Sequence, residues 1–268
     1  MTDARLRIAL AQVSADADTV IGQAAGEGAD VVVFPEMVSN GYGRFDPADP
    51  IARAAWIDAA QPLDGVFVGR FRAAARRHGI AVVATLLERA LPKPFNAALL
   101  IDASGDIVLH QRKRHICFFD APEEACAAGD RSAVVRLPTK VGEISVGVMI
   151  CMDREYSDVV ADLVRQGAEV VLVPNSCALH DDPEIGDVRL CGVRAMAFET
   201  VMAIAVANYP APKDDGHSVI VDPLGRVVAM GGTAPDVVVG DIDIEALRRL
   251  QKSEWFRRAP PAPQAAIL

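Results

Sequence analysis

Short apolar runs recur along the chain, and amphipathic stretches fill the spaces between them. A continuous apolar run bounded by turn residues reads as a strand buried on both faces. That pattern predicts strands over 6–13 (LRIALAQV), 31–34 (VVVF), 80–88 (IAVVATLLE), 144–151 (ISVGVMIC), 170–173 and 201–208 (VMAIAVAN). Two further pairs read as hairpins: 95–102 with 107–113 across ASGD, and 217–223 with 226–230 across Leu224-Gly225. A last strand falls at 236–243. Elsewhere the period lengthens to that of a helix. Val66, Phe67, Phe71 and Ala74 share one face over 64–78, and Gly79 fits its C-cap. Helices are likewise predicted over 157–167, 187–200 and near 244–251, and 19–28 is helix-compatible. Residues 114–130 are mixed and polar and read as a loop, and the Pro-rich tail 256–268 predicts an arm or disorder.

Two of these runs echo each other. GADVVVFPEM (28–37) and GAEVVLVPNS (167–176) are identical at five of ten positions and conservative at three more. Each lies in β-α-β surroundings, 6–13 with 31–34 and 144–151 with 170–173. Many strands with few helices between them predict an α/β protein of two sheets packed face to face, helices outside, with an approximate internal twofold. No Gly/Ser linker or charge run divides the chain, so a single domain is expected over 1–255. The echo breaks at one chemically loaded position, where Glu36 is matched by Asn175.

Composition narrows the classes. Half of the 268 residues are hydrophobic but only 5% are aromatic, so the core is aliphatic, as a buried sheet requires. The net charge of −9 argues against nucleic acid and anionic membranes as partners. The first residues carry no long apolar signal region and the longest apolar runs are too short to span a bilayer, so a soluble, cytoplasmic protein is expected. The five cysteines (117, 126, 151, 177 and 191) form no C-x-x-C pair and no Cys/His cluster with ligand spacing, so a structural zinc is not expected.

Candidate chemistry sits at strand ends. Cys151 closes an apolar strand and precedes the polar run MDREYSD, where α/β proteins place reactive groups; a buried inert cysteine is the alternative. Glu36 ends the matching strand of the repeat, as a general base or as a solvated loop residue. Lys113 ends the strand IVLHQRK, and Glu123 and Glu124 follow in the loop; taken singly, each reads first as a solvated surface residue.

Taken together, VVVFPEM, HQRKRHI and VGVMICMDRE, in that order, resemble the Glu, Lys and Cys blocks of the nitrilase superfamily of carbon–nitrogen hydrolases. GAEVVLVPNS, RAMAFET, VAN and GHSVIVDPLGRVV support the resemblance, which runs from about residue 6 to 245. It implies a four-layer αββα sandwich, a catalytic Glu36–Lys113–Cys151 triad, and a homodimer or higher homo-oligomer stacked through helices near the site. It implies a second active-site glutamate before Gly129-Asp130, Glu123 or else Glu124. The implied substrate is a small amide or N-carbamoyl compound, attacked by Cys151 with the oxyanion held by Lys113 and the backbone N–H of Met152. Carboxylate, ammonium and thiol already supply base, electrophile and nucleophile, so neither metal nor cofactor is implied. Tyr42, Arg154 and Asn175 are candidate substrate-binding residues, with Asp153 and Arg154 alternatively a structural ion pair.

The chain departs from the family pattern twice. The stretch before GADVVVF is short, so the first helix is abbreviated or rebuilt, and Tyr156-Ser157-Asp158 stands where an aromatic, Pro and Glu are usual. Nitrile hydrolysis by the same residues, a non-catalytic relative, and a redox-sensing thiol protein with Cys177 as resolving cysteine are the competing readings. The resemblance implies that the loops 38–62, 114–130 and 176–190 shape the pocket, and Arg44, Arg154 or Arg189 would have to turn inward to receive an anionic substrate.

Overall fold

The computed structural model describes residues 4–13, 16–119 and 122–258. Its first half runs β1 (Arg5–Gln12), α1 (Ala17–Gly26), β2 (Val31–Val33), α2 (Pro50–Asp58), α3 (Val66–His78), β3 (Ala81–Glu88), β4 (Phe95–Ile101) and β5 (Ile107–Arg112). The second half runs β6 (Val134–Thr139), β7 (Gly142–Val148), α4 (Ser157–Arg165), β8 (Val170–Pro174), α5 (Val188–Thr200), β9 (Ala203–Ala207), β10 (Val219–Val221) and β11 (Val227–Met230). β12 (Asp236–Asp243), α6 (Ile244–Ser253) and α7 (Trp255–Arg258) follow. The strands form two six-stranded sheets, ordered β12-β1-β2-β3-β4-β5 and β6-β7-β8-β9-β10-β11.

Every neighbouring pair has the same sense in both sheets: antiparallel, parallel, parallel, antiparallel, antiparallel. This is the internal twofold that the echo implies. It extends to single hydrogen bonds. The Asp30 N–H donates to the Arg7 carbonyl at 2.8 Å, and the Asp30 carboxylate accepts the Arg7 N–H at 2.9 Å. Glu169, at the equivalent place, does the same with Ser145, its carboxylate accepting at 2.7 Å.

Side-chain alternation accounts for the unbroken apolar runs. Val31 and Val33 point between the sheets with Ile8, Leu10, Val146, Val148, Val170 and Leu172. Val32 and Phe34 point outward against Ile21, Phe71 and Ala74 of α1 and α3. Val171 and Val173 meet Val159, Leu163 and Val193 of α4 and α5. The result is a four-layer αββα sandwich, with each central strand buried on both faces.

The Glu169 carboxylate also accepts from the Arg248 guanidinium at 2.6 Å. Burial alone would raise its pKa, but Arg248 and the Ser145 N–H outweigh it and hold it below the usual carboxylate value. A group lowered by folding stabilises the fold above its unfolded pKa, about 4.3 for glutamate, and ceases to do so as the pH falls through its folded value. Glu169→Gln is therefore expected to unfold at lower denaturant than wild type at neutral pH, with the gap closing on acidification. A gap that does not change with pH contradicts this.

Several elements differ from the sequence reading. α2 lies within 38–62; Pro50 starts it, and the Asp49 carboxylate accepts the N–H groups of Ile51 at 2.8 Å and Ala52 at 3.1 Å. β6, at a sheet edge, escapes a periodicity reading because of its residues only Leu137 is fully buried. The β7 ladder stops at Val148, and Cys151 opens a 3-10 turn, Cys151–Glu155. The tail expected from residue 256 begins inside α7, where Arg258 binds the carbonyls of Ala168 and Thr200, so it is not an irregular arm there. The remainder, 259–268, lies outside the described residues. No helix among the described residues is long and apolar enough to cross a membrane.

Candidate active site

Pro35 ends the first echo strand because it has no N–H to continue the ladder. The next N–H, that of Glu36, donates across to the carbonyl of Asn175 in the other sheet at 3.2 Å. The two echo positions therefore touch, and the ends of β2 and β8 open on one crevice. Glu36 is fully buried there, its carbonyl accepting the Tyr209 hydroxyl at 2.9 Å.

Lys113 follows directly on β5, its backbone bonded to Asn96 and Gly129. Gly129 must lack a side chain, since a Cβ would sit 2.5 Å from the Arg112 carbonyl. The Lys113 ammonium, fully buried, donates to Glu36 Oε1 and to Glu123 Oε1, both at 2.7 Å. Asn96 Nδ2 donates to the same two oxygens, at 2.7 and 3.0 Å. Glu123 also accepts from the Tyr42 hydroxyl at 2.9 Å and, on Oε2, from the Cys117 N–H at 2.7 Å. Of the two loop glutamates, Glu123 enters the cluster; Glu124 turns away to Arg53 at 2.9 Å.

Cys151, 5% exposed, stands at the first position of its turn with φ of 47°, a left-handed conformation that a side chain other than glycine adopts at a cost. Its sulfur lies near enough to Glu36 and Lys113 for its charge to act on both. Met152 follows in the first turn, where amides have no partner within the helix. Asp153 and Arg154 do not pair with each other, contrary to the ion-pair reading. The tight turn sends them apart. Asp153 caps the N–H groups of Arg114, His115 and Ile150, at 3.0, 2.8 and 3.1 Å. The buried Arg154 guanidinium donates to the Cys151 carbonyl at 2.7 Å and faces two sulfurs, Cys151 at 4.0 Å and Cys177 at 3.5 Å.

The charges sort themselves. Burial opposes charge on both Lys113 and Glu123. Glu36, Cys151 and Glu123 nevertheless hold the ammonium above the ordinary lysine value, and Lys113 with the Cys117 N–H holds Glu123 below the carboxylate value. Burial, then the neighbouring Cys151, pushes Glu36 well above that range despite Lys113. The Cys151 thiol is raised by its hydrogen bond with Cys177 and by burial, against Lys113 and Arg154. Lys113 and Glu123 thus form a charged, compensated pair, and Glu36 and Cys151 can both hold a proton. Glu36 Oε2 has no hydrogen-bond partner among the described residues.

Other candidates serve as supports. The Tyr42 hydroxyl is spent on Glu123. The Asn175 amide is spent on Asn208 at 3.0 Å and on Cys177. Asn96 and Tyr209 escaped the sequence reading, although a buried Asn in the apolar run FNAALLID was a visible signal. One group among the described residues could hold a metal ion, His180, Asp181 and His217, with ligand atoms within 4.8 Å of one another; it stands outside the carboxylate–lysine cluster.

The model of the carbon–nitrogen hydrolase family matches residues 7–252. The chain is 30% identical over 220 residues to a Pseudomonas protegens protein described as a hydrolase in the pqqF 5′ region, covering 80% of this chain and 72% of that one. It is 35% identical over 277 residues to a glutamine-dependent NAD(+) synthetase of Xylella fastidiosa, covering 98% of this chain but spanning about half, 49%, of that protein. A solved structure of an amidase from Nesterenkonia sp., a cysteine-to-alanine variant in complex with butyramide, is 25% identical with a TM-score of 0.72 over 95% of this chain and 97% of that one. With the sandwich, the doubled sheet order and the family match all covering the same stretch, the chain belongs to the carbon–nitrogen hydrolase family of the nitrilase superfamily.

Proposed function

We propose that the protein is a thiol amidohydrolase that cleaves a small amide or N-carbamoyl compound through a thioester on Cys151. The observation that carries this is the Glu36 carboxyl. One oxygen is tied to Lys113 and Asn96, the other has no hydrogen-bond partner among the described residues, and the whole group is buried beside a thiol. Because Glu123 already balances the Lys113 charge, Glu36 can gain and lose a proton without leaving the ammonium uncompensated.

Glu36 takes the Cys151 proton as the sulfur attacks the carbonyl carbon. The charge developing on oxygen is met by the Lys113 ammonium and the Met152 N–H. Glu36 returns the proton to the nitrogen as the carbon–nitrogen bond breaks and the amine or ammonia leaves. It then takes a proton from the water that attacks the thioester; the carbon–sulfur bond breaks, Cys151 recovers its proton from Glu36, and the acid departs. Tyr42, Asn96 and Cys117 fix Glu123, and Glu123 fixes Lys113. The butyramide bound by the related amidase supports small aliphatic amides as the first substrates to try.

The wild-type protein is expected to release ammonia from some member of a panel of aliphatic amides and N-carbamoyl amines. Glu36→Gln keeps the shape and removes the base, so its rate is expected to fall about 10²–10⁴-fold. A panel with no turnover, or a Glu36→Gln enzyme at the wild-type rate, contradicts the proposal.

A further inference from the structure

We propose that Cys177 is a peroxide-reactive thiol that closes a reversible disulfide onto Cys151, masking the nucleophile. The mechanism above does not use Cys177, yet its surroundings are those of a reactive sulfur. The loop after β8 brings it to the same guanidinium that faces Cys151. Arg154 spans the pair, Nη2 at 3.5 Å from Cys177 Sγ and Nη1 at 4.0 Å from Cys151 Sγ. One guanidinium therefore reaches both sulfurs. Asn175 Nδ2 adds a donor to Cys177 Sγ at 3.5 Å, and Asn208 Nδ2 holds the Cys177 carbonyl at 2.9 Å, fixing the loop.

The surroundings assign the order of events. Donation from the Cys151 thiol draws Cys177 down to about 6 despite burial, with Arg154 and Asn175 adding to it, whereas Cys151 is pushed up. Cys177 is also the less buried of the two. A thiolate that is cationically held and reachable is the one a hydroperoxide oxidises first. Cys177 sulfur attacks one peroxide oxygen; the sulfur–oxygen bond forms, the oxygen–oxygen bond breaks, and hydroxide leaves as water after taking a proton. Cys151 sulfur, its proton removed, then attacks the Cys177 sulfenic sulfur. The disulfide forms, the sulfur–oxygen bond breaks, and the second hydroxide leaves as water. Two thiols and one hydrogen peroxide give one disulfide and two waters. A thiol reductant reverses the product by exchange.

Cys117 is the competing partner, since its sulfur lies 3.6 Å from Lys113 Nζ at the same crevice. The test treats the intact protein with mild hydrogen peroxide, blocks free thiols, and maps peptides without reductant. The expected result is a linked Cys151–Cys177 peptide and a parent mass lower by two hydrogens, both reversed by dithiothreitol. Cys117→Ala is expected to retain the link. Cys177→Ala and Cys177→Ser are expected to lack it and to carry oxygen adducts on Cys151 that dithiothreitol does not fully remove. Oxygen adducts on single cysteines of the wild-type protein with no linked peptide, or a link to Cys117, would overturn the proposal. The linked peptide is read without substrate, so it stands or falls separately from amide hydrolysis. Where a substrate is in hand, activity is expected to disappear as the link forms and to return when dithiothreitol reduces it.

Discussion

Cys151→Ala is expected to lower amide hydrolysis by up to about a million-fold, the scale on which removal of a nucleophile acts in hydrolases that work through a triad. The loss is expected at the chemical step, because the variant keeps the crevice. The Lys113 bonds to Glu36 and Glu123 do not involve the sulfur, and Arg154 keeps its bond to the carbonyl of residue 151. Circular dichroism and the unfolding midpoint should therefore stay close to wild type. Cys151→Ser is the stricter variant. It preserves a nucleophilic atom, but an alcohol gives up its proton far less readily than a thiol, and Glu36 is the group that would have to take it. It is expected to be nearly as inactive as the alanine variant. A serine variant with a rate near wild type would mean that residue 151 does not carry the covalent step.

Lys113→Met is expected to fail in two ways at once. It removes the ammonium that meets the oxyanion, and it leaves Glu36 and Glu123 facing each other in a site with no exposure to water. Breaking a buried pair by removing one partner costs about 3–5 kcal/mol, because the charge left behind is uncompensated. Denaturant unfolding at neutral pH should show that loss. The sign of its pH dependence follows from which group is orphaned. Without Lys113 the Glu123 carboxyl sits above its unfolded pKa, so it destabilises the fold at neutral pH and does so less as the pH falls and it is protonated. The double variant Lys113→Met with Glu123→Gln is expected to recover part of the stability and none of the activity. A single variant as stable as wild type at neutral pH would contradict the charge assignment.

The echo was legible because buried parallel strands leave a plain signature, unbroken Val-rich runs, and because the twofold placed that signature twice. The matched order of the two sheets and the Asp30 and Glu169 bonds to the preceding strand follow from it. Glu36, Lys113 and Cys151 were visible as polar residues standing where core strands end, and the family resemblance joined them. What stayed hidden is what depends on long-range packing. Adjacent Glu123 and Glu124 look alike in sequence; only the turn geometry, with Arg53 waiting for one and Lys113 for the other, separates them. Asp153 and Arg154 look like an ion pair until the turn directs one to backbone amides and the other to sulfur. β6 and α2 are half-exposed, so their burial pattern is too weak to show as periodicity. Cys177 was open to the sequence reading as a resolving cysteine, but the Arg154 guanidinium that reaches both it and Cys151 depends on two strand ends meeting.

The chemistry rests on one covalent bond, and the most direct measurement looks for it. The wild-type enzyme, and beside it Glu36→Gln, is mixed with an amide that the wild type hydrolyses, quenched in acid during turnover, and its mass and peptide map are recorded. The expected result is one acyl group on the peptide that carries Cys151, released as a hydroxamate by hydroxylamine. An acyl group on Cys117, Cys177 or any other residue, or one formed as readily by Glu36→Gln as by the wild type, would contradict the assignment of Cys151 as the nucleophile and Glu36 as its base.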